Sequence, residues 1–335
     1  MIRKMPPKEN FVMSAFLSKD KIIKSKESGL FKGLNTPSIV LFKKTLFKDI
    51  FTIPKVSISI ILMIFLPLLA ILMVPSSFIL EDETLLNFIG ITYVEYTPCI
   101  MFPIILTVIG APLIAEELKS RTMLTLISKP ISRGEILATK YLALTCFGLV
   151  INFTSLSLIT LAALWKYPFE GIGEFFIVNF LFSLVVQFFF QTLAIGFSSL
   201  VRKTRNALLF PLLLIIITFF VLMTFRPLFL YMHLGNSEDP IYVQFQLYHY
   251  DLGYHLFNVY IGIMEITSVK VPESMMFFFA IMGIYTQSYN EDTWESIFTR
   301  NDYYSPLGSL ILLFAIALGI ILLGYFIFRR RDISR

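Results

Sequence analysis

The residues best suited to chemistry are three histidines, His233, His249 and His255, and all of them fall in the stretch 232–306. Asp251 lies between the last two, and imidazole with carboxylate is a donor set for zinc. Yet the offsets from 249 to 251 to 255 do not bring all three side chains to one helical face, and no Cys or Glu completes a set. Cys99 and Cys146 sit in apolar runs without metal spacing and read as small hydrophobes. There is no His-Glu-x-x-His helix for a zinc protease and no Gly-x-Ser-x-Gly elbow. The chain contains no Gly-Lys dipeptide, so it has no Walker phosphate loop. The expectation is no catalytic, metal or cofactor site. A membrane-embedded enzyme working through His249 and His255 would lose activity when both become alanine.

What must position these residues is a membrane bundle. The chain has 335 residues, of which 56% are hydrophobic and 15% charged, against roughly 25% charged in soluble domains. Mean hydropathy is +0.75. Surface that apolar needs lipid as its solvent. Six stretches are long and apolar enough to span, at about 56–80, 97–115, 141–165, 174–200, 207–231 and 307–328. Only the basic turn Arg202-Lys203-Thr204-Arg205-Asn206 separates the fourth from the fifth, which predicts a tight antiparallel hairpin.

Charge placement orients the bundle. Segments 1–55, 116–140, 201–206 and 329–335 carry 24 of the 28 Lys and Arg, while the opposite loops carry 15 of the 23 acids, including Glu81-Asp82-Glu83. The positive-inside rule then holds on every loop, with both termini cytosolic and the protein multi-pass in the cell membrane. The net charge of +5 is a topology signal, and nucleic acid is not an expected partner. Residues 1–35 are polar and basic without an apolar h-region, so no cleavable signal peptide is expected there. The predicted fold is an all-α integral membrane protein with six transmembrane helices, an N-terminal interfacial helix and a large outer loop between the fifth and sixth spans. A flexible basic tail, 1–35, precedes the transmembrane domain, 36–335.

The interfacial helix is read from 36–55. Thr36 suits an N-cap with Pro37 at the first helical position. Ile39, Phe42, Leu46, Ile50 and Ile53 recur at helical spacing, and Lys44, Lys48 and Thr52 line another face, as on a helix lying among anionic headgroups; packing on a partner is the other reading. In the outer segment 232–306, the run from Tyr248 to His255 places Tyr and His where interfacial side chains sit, Trp294 fits an anchor, and apolar runs such as Met275 to Ile284 are too short to span. These are expected to lie on or dip into the outer leaflet. Inside the spans, Gln187 and Gln191 share a face at i, i+4, and Asn152 stands in the third. Each marks either a pathway or hydrogen-bonded helix packing. Gly110 and Pro112 predict a kink in the second span.

The loop 114–144 is unlike the others. Its apolar knuckle, Met123, Leu124, Leu126 and Ile127, is rimmed by Lys119, Arg121 and Lys129; it either docks a partner or packs under the bundle. Lys129-Pro130 breaks a helix, and Ser132-Arg133-Gly134-Glu135 fits a capping box that opens the third span. The run from Glu116-Glu117 through Thr122, then Leu126 to Ile136, and on to Lys140-Tyr141 resembles the signature of type-2 ABC transporter permeases, with Asp251-Leu252-Gly253 and the basic turn before the fifth span as softer matches.

That resemblance implies a coupling helix seated in a groove of a separate ATP-binding subunit. Glu117, Leu118, Arg121, Thr122 and Leu126 would face the ATPase, and Lys129, Pro130 and Arg133 would shape and anchor the elbow. The implied partners are a cytosolic ABC ATPase, a second permease subunit (identical or paralogous) and membrane lipids, and the implied activity is ATP-driven transport, in the export direction. A non-transporting scaffold or regulator with the same fold is the alternative; it predicts ATPase binding without substrate-stimulated hydrolysis.

Overall fold

The computed structural model describes residues 37–73, 85–120, 122–123, 131–166, 170–234, 239–289 and 296–331. The basic tail, Thr36, the 74–80 end of the first predicted span, Glu81-Asp82-Glu83 and Trp294 lie outside the described residues.

Six helices are long and apolar enough to cross a membrane: α2 (Ile53–Met73), α3 (Gly90–Lys119, preceded by a turn from Leu85), α4 (Arg133–Trp165), α5 (Ile172–Leu200), α6 (Thr204–Tyr231) and α10 (Pro306–Arg330). Each coincides with a predicted span. They differ in how much of themselves they hide: 78% of the most apolar window of α3 is buried, against 17% for α10. So α3 is an inner helix, and α10 presents most of its surface to lipid.

Apolar burial alone does not drive helices together in lipid, so close fit and side-chain hydrogen bonds must do so. Both are concentrated on α5, which packs against α3, α4, α6 and α10. The stack of Phe197 on Phe210 joins it to α6, and Phe188 meets Phe314 of α10 with ring centroids 4.4 Å apart. Between α4 and α5, Asn152 donates to Ser183 at 2.6 Å, Gln187 to the carbonyl of Thr145 at 2.9 Å and Gln191 to the Thr145 hydroxyl at 2.6 Å. The intramembrane amides therefore serve here as bonds between two helices.

Ahead of α2, helix α1 (Pro37–Lys44) begins at the predicted proline and runs on through a wider turn, Thr45–Ile50. That widening shifts the helical phase. The buried positions are Leu41, Thr45 and Ile50, while Ile53 at the end of the expected stripe is 84% exposed. The inward face packs on α4, with Phe51 edge-on to Phe147 at 5.2 Å.

Between α6 and α10 the chain forms α7 (Ile241–Gln244), α8 (Leu252–Ile266), α9 (Glu273–Ile281) and an antiparallel ribbon of β1 (Tyr285–Tyr289) and β2 (Ser296–Arg300), paired from Tyr285↔Arg300 to Tyr289↔Ser296. The ribbon is the sole departure from all-α structure in named elements among the described residues. Helix α8 does not lie on a surface. It is buried from Leu252 to Gly262 and packs against α5, α6 and α10, because it is largely apolar and its polar side chains, His255 and Asn258, find partners inside. Phe257 stacks on Phe182, Tyr260 meets Phe182 edge-on, and Asn258 donates to the Tyr304 carbonyl and the Ser309 hydroxyl at 2.9 and 2.8 Å. Asp251 caps its N-terminus, accepting from the Tyr254 amide at 3.1 Å, and pairs with Arg226 of α6.

Candidate functional site: the basic-end elbow

At the end of the bundle that carries the basic turns, the regular pattern of α3 breaks for one residue at Ala111, between Gly110 and Pro112. A proline inside a helix removes one amide and pushes away a carbonyl, freeing backbone groups in the turn around it. Ser198 of α5 takes up three of them: its hydroxyl donates to Ala111 O at 2.6 Å and accepts from the amides of Ile114 and Ala115, both at 3.0 Å. The break is thus held by a neighbouring helix. Space there is tight, since a Cβ on Gly110 would come within 2.8 Å of Leu144 and 3.0 Å of Ala194.

Past the break, α3 delivers Glu117. Its side chain is 13% exposed, and Oε2 lies 2.5 Å from Nζ of Lys140 on α4, which is 1% exposed. Lys140 also donates to the Leu113 carbonyl. Lys44 of α1 reaches Glu117 Oε1 at 3.6 Å and Asp49 at 3.7 Å. One carboxylate therefore joins α1, α3 and α4. The Glu117–Lys140 contact is buried and charge-assisted; the Lys44 contact, with Lys44 46% exposed, is weak by comparison.

The elbow returns through Ser132. The Ser132 amide donates to Glu135 Oε2 at 2.9 Å and the Glu135 amide to Ser132 Oγ at 3.2 Å, a reciprocal capping box opening α4. Arg133, one residue on, turns its Nη1 to the carbonyls of Phe328, Arg329 and Arg331 at 2.7, 2.9 and 2.8 Å. Those carbonyls end α10 and have no intrahelical donors, so a cation suits them doubly. Arg331 does the same for α5, donating to Ser199 O at 3.4 Å and Leu200 O at 2.5 Å. From elbow to core, five helices are tied by four cationic side chains and one carboxylate.

Of the residues the sequence motif singles out, Glu117 turns inward onto Lys140 instead of outward. A carboxylate at the end of an apolar helix gains more from a buried cation than from a rim position. Leu118 is half-buried against the core, Thr122 is exposed, and Arg133 is the clamp just described. Met123 is fully buried. Arg121, Leu126, Lys129 and Pro130 lie outside the described residues. Ser120 Oγ bridges Glu116 O at 2.8 Å and Thr122 Oγ1 at 2.9 Å, terminating α3. Between α1 and this turn is a polar cleft of about 390 Å³ lined by Lys44, Lys48, Asp49, Lys55, Glu116 and Glu117, among others.

Sequence reasoning gave no role to Ser198 or Arg331, quoted Lys140 only as part of the signature run, and set Lys44 among headgroups, whereas it reaches Glu117. Lys140 carried a usable signal, because an amine within an apolar helix must find a partner. The others become visible only when the helices are assembled.

At the opposite end, His249 Nδ1 meets Tyr304 Oη at 2.7 Å, His255 Nδ1 meets Ser309 Oγ at 3.0 Å, and Asp251 is engaged by Arg226. The three candidate ligands thus have separate partners, and no group of three or more potential ligands occurs among the described residues.

A family model described as ABC-2 family transporter protein matches residues 8–333. No match is found among curated proteins.

Proposed function

Because the chain belongs to the ABC-2 transporter family, we propose that it is the membrane-spanning permease of an ATP-driven exporter, worked from the elbow 116–135 by a separate ATP-binding subunit. On this reading both termini and the elbow lie in the cytosol of a cell membrane. Two permeases, identical or paralogous, would work with two ATPase subunits. Export is the direction the resemblance favours.

The observation that carries the reading is the Glu117–Lys140 ion pair, 2.5 Å long and buried where α1, α3 and α4 converge. A lever needs a stiff root. A push on 121–131 would pass through this pair into α3 and α4, and through Arg133 into α10. The Ser198-pinned break would then set how motion of the elbow tilts the rest of α3. Chemistry at the elbow is limited to recognition: it offers cations, carboxylates and a polar cleft, and hydrolysis would be the partner's.

The test is affinity purification of the full chain from its native membranes in mild detergent. A cytosolic ATPase should accompany it, and Arg121→Glu or deletion of 118–127 should release that partner. Stable co-purification after the deletion overturns the docking role. Accessibility labelling that put 116–135 on the outer side would overturn the orientation.

A further inference from the structure

A second cavity lies on the basic end, away from the elbow cleft. Its volume is about 430 Å³, and it is lined by Leu323, Phe326, Ile327, Arg202, Arg330 and Arg331. Its two halves differ in chemistry. Leu323, Phe326 and Ile327 belong to the lipid-exposed side of α10, 54%, 53% and 39% exposed. The arginines stand one turn later, where α10 ends, and on the α5–α6 turn facing it. The wall is therefore apolar on the membrane side and cationic at the water side.

The cations are also held in place. Arg331 is fixed by the carbonyls of Ser199 and Leu200. Burial lowers its pKa, and the positive charge of Arg202 lowers it further. Two like charges kept together leave a field that an anion would relieve. Among the described residues neither Arg202 nor Arg330 forms a salt bridge; Asp332, the closest acid in sequence, lies outside them.

We propose that this cavity seats one anionic phospholipid, its phosphate between Arg202 and Arg330 and its acyl chains along Leu323, Phe326 and Ile327. Guanidinium is the side chain best matched to phosphate oxygens, and basic pockets between membrane helices take such headgroups. A free phosphate would make no use of the apolar wall. A zwitterionic headgroup would bring an ammonium up against guanidinium.

The test is native mass spectrometry of the delipidated full chain, titrated with phosphatidylglycerol, with phosphatidylcholine, and with phosphatidylglycerol plus inorganic phosphate. The expected result is preferential retention of phosphatidylglycerol that millimolar phosphate does not displace. R202Q and R330Q should each weaken it about fivefold. R205Q removes an exposed charge from the same turn but outside the cavity wall, and should leave affinity within about twofold. Three results overturn the proposal: unchanged affinity in the R202Q/R330Q double variant, an equal loss in R205Q, or displacement by phosphate. A seat for a second copy of the chain would give the first of these, together with a changed oligomeric state.

Discussion

Arg226 and Asp251 form a two-point ion pair between α6 and the start of α8, with Nε 2.5 Å from Oδ2 and Nη2 2.7 Å from Oδ1. Their side chains are 1% and 5% exposed. Tyr242 donates to Oδ2 at 3.0 Å and the Tyr254 amide to Oδ1 at 3.1 Å, so the carboxylate is fully engaged. Removing one member of such a pair leaves a buried charge without its counterion, at a cost of about 3–5 kcal/mol, whereas removing both charges costs far less. Arg226→Met should therefore lower the thermal stability of the purified full chain sharply. Adding Asp251→Asn, which keeps the helix cap, should restore most of the loss. If the double variant melts no higher than the single one, the stabilisation does not reside in the charges.

This pair also marks how far the sequence could be read. An arginine in an apolar span announces that a carboxylate is near, but periodicity does not say which one, and Asp251 is 25 residues away. The spans themselves were legible because bilayer thickness imposes a length that few other structures need. Their ends were less so. Helix α3 continues past the end of its apolar window at 115 to Lys119, and on that last turn Glu117 meets Lys140. Length says only that the 15 residues of α8 cannot span; enclosure by three other helices is a tertiary fact that length does not encode. At the elbow, the capping box of Ser132 and Glu135 was readable from its spacing. The clamp of Arg133 on the end of α10 was not, since it joins residues 195 to 198 positions apart.

The Glu117–Lys140 pair sets a hierarchy at the elbow. Glu117→Gln leaves Lys140 buried with a carbonyl but no counterion, and breaking a buried pair costs about 3–5 kcal/mol. Amides of 112–119 should then exchange with deuterium at least about a hundredfold faster, if opening of this segment is what exchange reports. Lys44→Gln removes only the half-exposed partner at 3.6 Å and should cost less than about 1 kcal/mol. Equal acceleration by both substitutions would mean that the buried pair is not the root of the elbow.

Helix α10 carries two glycines that test close packing against open space. A Cβ on Gly324 would lie 2.2 Å from Ser199 Oγ and 2.7 Å from the Gly196 carbonyl, while one on Gly319 would meet nothing within 4 Å. Gly324→Ala must push α10 away from α5 and should destabilise by about 1–3 kcal/mol. It would also disturb the Arg331 cap on α5. Gly319→Ala adds helix propensity with no clash and should be neutral or stabilising by up to about 1 kcal/mol. Thermal melts of the two variants in the same detergent decide it, and a Gly324→Ala protein as stable as Gly319→Ala would show that the helices are not in contact there.

His255 gives the end of the bundle opposite the elbow a pH dependence of definite sign. It is 1% exposed, with Nδ1 against Ser309 Oγ at 3.0 Å and Nε2 against the His249 carbonyl at 3.3 Å. Burial lowers its pKa below 6.5; the His249 carbonyl and the Asp251 charge oppose this, and the His249 ring adds to it. Of the other charges near this turn, Arg226 is spent on Asp251, and Arg300, beside Tyr254 and Asn258, is paired with Glu265 and Asp302. Between the folded and unfolded values the unfolded chain binds the proton that the folded chain refuses, so stability rises with pH in that window. The contribution is complete above 6.5 and is lost as pH falls through the folded value. Deuterium exchange of α8 should accordingly speed up on going from about pH 7.5 to about pH 5, after correction for intrinsic exchange rates. His255→Asn should flatten that dependence, since an amide does not titrate. An undiminished slope in His255→Asn, or protection that grows with acid in the parent chain, would assign the titration to another group.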